Sequence, residues 1–361
     1  MKKFITKLLL MLPILLLIIG INFKEDPANI FRRGPYEQGI VKYLNEGKNV
    51  TNVTNYDERL LQKYFINEMK DCPDVIILGS SRVMQLGNAY FPNEKLINNG
   101  VSGASIEDLL AIYDLYENKG CKIKKVKIGL DPYFLNENND QSRWKLLANE
   151  YNEMLAKLGL SEYTEKTIMA ESEVVKYKQL WSVSYFKSSW SYFIRGVDVH
   201  YRPTTEANNK DFTKLTDGSI IYGESSRNSS LETINRYATQ SITETPMYSM
   251  REFTKISTKY QIILSQFIAY LQSKEVEVEF FISPYHPIVF DYIKKSKDYQ
   301  IVFEVEKYFN QLADDRKIKL IGSYSPYTYN FIDSNFFDGF HCKGESLNMV
   351  FAKQNQIDSL K

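Results

Sequence analysis

Two short stretches of this chain hold residue types that together perform acyl transfer. One is Gly79-Ser80-Ser81-Arg82, where the apolar run DVIIL ends. The other is Asp338-Gly339-Phe340-His341, near the carboxyl terminus. A serine hydroxyl is a weak nucleophile until a base takes its proton. Imidazole does this when a carboxylate fixes its tautomer and balances its charge, and Asp338, three residues before His341, is spaced to do both. A serine at a strand-to-helix turn presents its Oγ and keeps its own backbone N–H free at a helix N-terminus. Gly100, after Asn98-Asn99, lets backbone come close to a reacting centre, so its N–H is a second candidate donor to an oxyanion.

Each part also has an ordinary structural reading. A Gly-Ser-Ser after a strand is most often a loop, and Asp-x-x-His alone fits a partly buried, satisfied histidine. The set gains meaning from its order, from its place at strand ends, and from there being only three histidines in the chain. Arg82 either grips an anionic group of a substrate or closes the first turn with an ion pair, the commoner arrangement. His286, in SPYHP, either faces the same crevice or steadies its own loop, and His200 reads as a surface residue. Cys342 reads as a small buried residue rather than a nucleophile. The cluster QLWSVSYFKSSWSYF (179–193) is either a sugar-stacking platform or, more commonly for such mixed spacing, local core. No acid pair has glycosidase spacing, and there is no phosphate-cradling glycine motif and no CxxC, so neither a cofactor nor a metal is expected.

The elements that must position these residues read as α/β. DVIILG, EKLINNG (94–100), KKVKIGLDP (124–132), VEVEFFISPYHP (276–287) and KIKLIGSY (317–324) are short apolar runs bounded by turn residues, as strands buried on both faces are. Helical stripes lie between them: Ile106, Leu109, Leu110 and Tyr113 behind Ser105, then Ile256, Tyr260, Ile263, Leu264, Phe267 and Leu271. Alternation of this kind predicts a parallel sheet of about five strands with right-handed crossovers. Ligands then bind at the carboxyl ends of the strands, where Ser81, Gly100, Asp131 and His286 all fall. The alternation stops over 135–250, which reads as an insertion capping one end of the sheet, with an exposed hairpin at 211–230 turning at Asp217-Gly218. Cys72 and Cys121 each precede a predicted strand and are placed to pair if those strands are neighbours.

The 361 residues carry a formal net charge of +1, which gives no basic surplus for binding nucleic acid. Lys2, Lys3 and Lys7 precede an apolar run from Leu8 to Ile21. Phe4 to Phe23 gives roughly the 20 residues needed to cross a bilayer, and the lysines keep the N-terminus cytoplasmic. A cleaved signal peptide competes with this reading, but GINFKEDPAN offers no small-x-small site. The expected organisation is a tip and membrane anchor over 1–23, a juxtamembrane stretch and lead-in helix over 24–70, and one α/β domain over 71–361, interrupted by 135–250.

The order Gly-Ser-Ser, Gly100, Gly129-Leu130-Asp131, Asp338-x-x-His341 resembles the SGNH hydrolase superfamily. The resemblance covers roughly 72–132 and 276–361. It implies a flavodoxin-like three-layer sandwich with Ser81 as nucleophile, Asp338 as triad acid, His341 as base, and the N–H groups of Ser81 and Gly100 as oxyanion hole. Asp131 departs from the pattern, since an Asn there would donate a hydrogen bond and a carboxylate cannot. Asp131 therefore contacts something else, such as Arg82 or His286, or the hole rests on the two N–H groups alone. With the anchor and the insertion, the chain is similar to the extracytoplasmic D-alanyl transfer protein of the lipoteichoic acid pathway and to alginate O-acetylation proteins. Those work beside a membrane-bound O-acyltransferase. The implied function is an anchored O-acyltransferase that moves a D-alanyl or acetyl group through a serine ester to a cell-surface polysaccharide or teichoic acid. The alternatives are an esterase deacylating surface glycans and a non-catalytic polymer-binding partner of the membrane enzyme.

Overall fold

The structure, a computed structural model, describes residues 2–26, 31, 34–164, 177–195, 201–244 and 246–359, with side chains from 12 to 353 except that of Arg195. His200 lies outside the described residues.

Five parallel strands form the central sheet: β1 (Val75–Leu78), β2 (Leu96–Asn98), β3 (Lys125–Gly129), β4 (Glu277–Ile282) and β5 (Lys319–Gly322), in the order β2-β1-β3-β4-β5. These are the five runs expected as strands. Alternate residues of β1 enter two separate cores: Ile76 and Leu78 pack into the larger, Val75 and Ile77 into the smaller. A continuous apolar run is what a strand covered on both faces requires. The polar exceptions pair: Lys127 and Glu279 stand opposite each other in β3 and β4 and join through Nζ and Oε1 at 3.1 Å.

Among the described residues the α-helices of more than one turn are α1 (Lys2–Glu25), α2 (Pro35–Asn45), α3 (Glu58–Glu68), α4 (Ile106–Asn118), α5 (Ala148–Lys157), α6 (Val183–Arg195), α7 (Leu231–Thr243), α8 (Thr258–Ser273), α9 (Pro287–Lys295), α10 (Ile301–Arg316) and α11 (Gly344–Ser359). Helix α4 starts where expected: Asp108 accepts the Ser105 backbone N–H at 2.9 Å, the reciprocal half of a capping box. Helices α4, α8 and α10 feed the larger core, and α11 supplies Leu347 and Val350 to the smaller. Two cores, one on each face of the sheet, make a layered α/β body.

No helix among the described residues is long and apolar enough to cross a membrane. The anchor expected over 1–23 falls on α1, and the side chains of its first eleven residues lie outside those described.

Cys72 and Cys121 are joined in a disulfide, which the pairing of β1 with β3 makes possible. The lead-in and the insertion share a second, small antiparallel sheet. Asn49–Thr51 lies between Arg202–Thr204 and Thr213–Lys214, and Ile220–Ile221 closes the edge. The hairpin turns at Asp217-Gly218, but it is not exposed: Thr213, Lys214, Asp217, Ser219 and Ile220 are buried. It is fastened to the sheet's carboxyl end, where Asn98 N–H donates to the Asp217 carbonyl at 2.7 Å and Ile220 N–H to the Met84 carbonyl at 2.9 Å.

Candidate active site

Strand β1 ends at Gly79, whose φ of +148° takes the chain sharply out of the sheet. A side chain there would meet Val83 and the Gly129 backbone at 3.0–3.2 Å, so only glycine fits without displacement. No helix follows. Residues 81–85 form successive turns, closed by Val83 N–H to the Ser80 carbonyl at 3.1 Å and Met84 N–H to the Ser81 carbonyl at 3.3 Å. The expected helix N-terminus beneath Ser81 is therefore absent, and no helix dipole acts there.

The fold brings Ser81, His341 and Asp338 together across 260 residues of sequence. Ser81 Oγ lies 2.8 Å from His341 Nε2, and His341 Nδ1 lies 2.8 and 2.9 Å from the two Asp338 oxygens. Asp338 Oδ1 also accepts the backbone N–H groups of Phe340 and His341 at 2.8 and 3.0 Å, so the carboxylate and the imidazole are held by one turn of chain. Burial opposes ionisation of Asp338, but His341 and those N–H groups outweigh it and hold the carboxyl below its ordinary value. The Tyr222 ring, from the insertion, stands 6.2 Å from the imidazole on the side of Phe337.

The second oxyanion donor differs from expectation. Gly100 is buried and its N–H already donates to Asn98 Oδ1 at 2.8 Å. Asn98 Nδ2 in turn reaches the Val83 and Leu86 carbonyls, each at 2.7 Å. This side chain staples the Ser81 loop to the end of β2 and consumes the Gly100 donor. Gly103, three residues on, lines the cavity beside Ser81, takes φ +55°, and its N–H has no partner among the described residues. Of the two glycines, Gly103 is the one that lines the cavity with Ser81 and whose N–H is left over.

The loop holding Gly103 is fixed from the lead-in, which the sequence reading did not connect to the site. Arg59 of α3 binds Asp108 through Nε at 2.9 Å and Nη2 at 2.8 Å, and reaches the Ser102 carbonyl at 3.0 Å. Glu58 accepts the Ser102 hydroxyl at 2.8 Å and its backbone N–H. The acidic first turn of α4 beside a basic residue on α3 was the available signal.

Arg82 lines the cavity beside Ser81 but is not a free grip. It is buried, paired with Asp131 at 2.8 Å, bonded to the Ser283 carbonyl, and stacked 4.3 Å from the Tyr285 ring centroid. Asp131 is thus engaged in a structural ion pair tying the ends of β1 and β3, and has no role in an oxyanion hole. His286, by contrast, is not among the residues that line the cavity. It is fully buried and caps α9: Nδ1 accepts the Ile288 N–H at 3.1 Å, and its backbone N–H donates to the Gly339 carbonyl at 3.1 Å. It steadies the Asp338–His341 turn from behind. Cys342 is buried and its thiol is pushed up to about 12 by burial, too high for a thiolate nucleophile at neutral pH.

Ser81 and His341 line a cavity of about 380 Å³ together with Tyr133, Tyr248, Tyr285, Phe340 and Arg143. Arg143 has no carboxylate partner among the described residues; its nearest polar neighbours are Tyr248 Oη at 3.4 Å and Gln141 Oε1 at 3.5 Å. A side chain on Gly103 would meet these same groups at 2.2–2.6 Å. No known family model matches the chain, and no curated protein is significantly similar to it.

Proposed function

We propose that the protein is an extracytoplasmic, SGNH-like O-acyltransferase that carries an acyl group on Ser81 and passes it to a hydroxyl of a cell-surface polymer. The observation that carries this reading is the unbroken chain of contacts from Ser81 Oγ through His341 to Asp338, with Ser81 and His341 lining an aromatic cavity. In the first half-reaction Ser81 Oγ attacks the acyl carbonyl while His341 Nε2 takes its proton. The oxyanion sits against the N–H groups of Ser81 and Gly103. Collapse expels the donor's leaving group, which takes the proton from His341. In the second half-reaction His341 takes the proton of the acceptor hydroxyl as its oxygen attacks the ester carbon, and collapse of the intermediate breaks the bond to Ser81 Oγ, which receives that proton from His341.

The aromatic walls suit a sugar ring as acceptor. Of the candidate acyl groups, acetyl fits better than D-alanyl. Asp131, the carboxylate of the cavity lining, is paired with Arg82, which leaves no free carboxylate in that lining to balance an ammonium, while Arg143 would repel one. The disulfide supports an oxidising location outside the cytoplasm, and the apolar stretch of α1 supports a membrane anchor. A membrane-bound O-acyltransferase is the fitting acyl donor. Hydrolysis is the competing outcome, because the His341 side chain is 19% exposed and water can reach the ester.

The test is fluorophosphonate labelling of the detergent-solubilised full chain, read by intact mass, followed by aryl acetate turnover with and without an oligosaccharide acceptor. Labelling that vanishes in Ser81→Ala, with acetyl appearing on the acceptor, is expected. Acetate release unaffected by acceptor would make it an esterase. A folded wild type that neither labels nor turns over would reduce it to a binding partner.

A further inference from the structure

The aromatic cluster at 179–193 is neither local core nor part of the cavity. Trp181, Val183, Trp190, Phe193 and Ile194 are 41–65% exposed, whereas soluble surfaces rarely gather large apolar side chains in one patch. Helix α6 is two-sided. Ser189 is buried and Tyr185 half-buried on the inner side, while Val183, Trp190 and Ile194 recur at helical spacing on the outer side, with Phe193 beside them. Trp190 stacks on Phe193 at 5.4 Å, and the pair leaves 41% and 48% of their surfaces exposed.

The segment is fastened to the carboxyl-terminal end of α1. Asn22 Nδ2 donates to the Leu180 carbonyl at 2.9 Å. Tyr185 Oη donates to Asp26 at 2.6 Å, and Lys24 Nζ sits 5.5 Å from the Phe193 ring. These contacts fall just past the apolar run Leu8–Ile21, whose Leu12, Ile14, Leu16 and Leu17 are themselves exposed. The two apolar surfaces are therefore neighbours, with Lys24 between them, Lys178 exposed on the adjoining turn, and Lys187 exposed on the outer side of α6 between Val183 and Trp190.

We infer that α6 and the turn before it, Lys178–Trp181, lie in the lipid headgroup region as a second membrane contact of the α/β body. The occupant of this face is phospholipid. Tryptophan and tyrosine favour the level where a membrane helix leaves the hydrocarbon, and lysines at the border meet anionic headgroups. An interfacial helix tied to the anchor fixes the body's tilt and the height of its cavity over the bilayer, which a single-pass helix alone does not. The inference rests on the anchor reading given under Proposed function.

The chain supplies its own probe. Of its three tryptophans, Trp144 is buried against Tyr151, and the other two are Trp181 and Trp190. The full chain is reconstituted into phosphatidylcholine vesicles containing some phosphatidylglycerol, with bromines placed either near the carbonyl end or near the methyl end of the acyl chains. Tryptophan emission should fall, more with the shallow bromines than with the deep ones, and the quenching should be lost in W181F/W190F, which keeps an apolar face. Protein that floats with the vesicles but is not quenched would overturn the lipid contact while leaving the anchor standing. If that unquenched emission is also blue-shifted, a second copy of the chain covers the face instead. Stronger quenching by deep bromines would overturn the headgroup placement. Failure to float would overturn both the anchor and this inference.

Discussion

Asp338→Asn separates a triad from a chance cluster more sharply than removing either partner. Asp338 Oδ1 is pinned by two backbone N–H groups, from Phe340 and His341. An asparagine that keeps those bonds must turn its Nδ2 into the place of Oδ2, 2.8 Å from His341 Nδ1. Two donors cannot face each other, so Nδ1 becomes the acceptor and the ring proton moves to Nε2. Nε2 then donates to Ser81 Oγ and cannot take its proton. The carboxylate's balance of the imidazolium is lost as well. Two charges about 4 Å apart at an effective dielectric near 20 interact by about 4 kcal/mol, which is roughly a thousandfold in rate. The assay is the second-order rate of fluorophosphonate labelling at Ser81, with thermal unfolding measured on the same samples. The expected result is a loss of about three decades with little change in melting temperature, because the backbone bonds survive. A variant that labels within tenfold of wild type would refute the argument, since the tautomer and the charge would then be irrelevant to Ser81.

Arg82→Met should act on stability rather than on substrate affinity, because it leaves Asp131 buried and unpaired. The expected cost is about 3–5 kcal/mol, read by urea unfolding, with the double variant R82M/D131L recovering part of it. Burial, against the pull of Asp333 and Asp338, holds the His286 imidazole below its ordinary pKa. Its stabilising contribution is therefore present above the unfolded-state value, about 6.5, and is lost as pH falls through the lower folded value. Melting temperature should decline below about pH 6.5. The decline should flatten in His286→Asn, which can still cap α9 with a neutral side chain.

Much of the frame was legible because it rests on local pattern. A continuous apolar run ending in a turn residue has few options besides a buried strand, and all five central strands fall on such runs. Asp338 and His341 were legible because their geometry is set within one turn of chain. What failed to read were choices settled by distant partners. Gly100 and Gly103 sit three residues apart in one loop and are equivalent as sequence; that the Gly100 N–H is taken depends on the Asn98 side chain, which its spacing does not reveal. Arg82 looks poised beside its nucleophile. Only a partner 49 residues on and a ring some 200 residues away turn it inward. The hairpin at Asp217-Gly218 was legible, but its pairing with Asn49–Thr51 and Arg202–Thr204 escaped notice because strands of two or three residues are too short to show alternation.

The aromatic run at 179–193 failed for a different reason. The sequence reading offered it either a sugar or the local core as its partner, and favoured core because apolar side chains at mixed spacing usually pack inward. On α6 the inner side is filled by Ser189 and the polar bonds of Tyr185, and the large apolar groups point away. The same composition that argues for core in a soluble domain argues for a lipid contact when it is bolted to the end of an apolar helix. Its meaning is set by the neighbour, here α1, and not by its own periodicity.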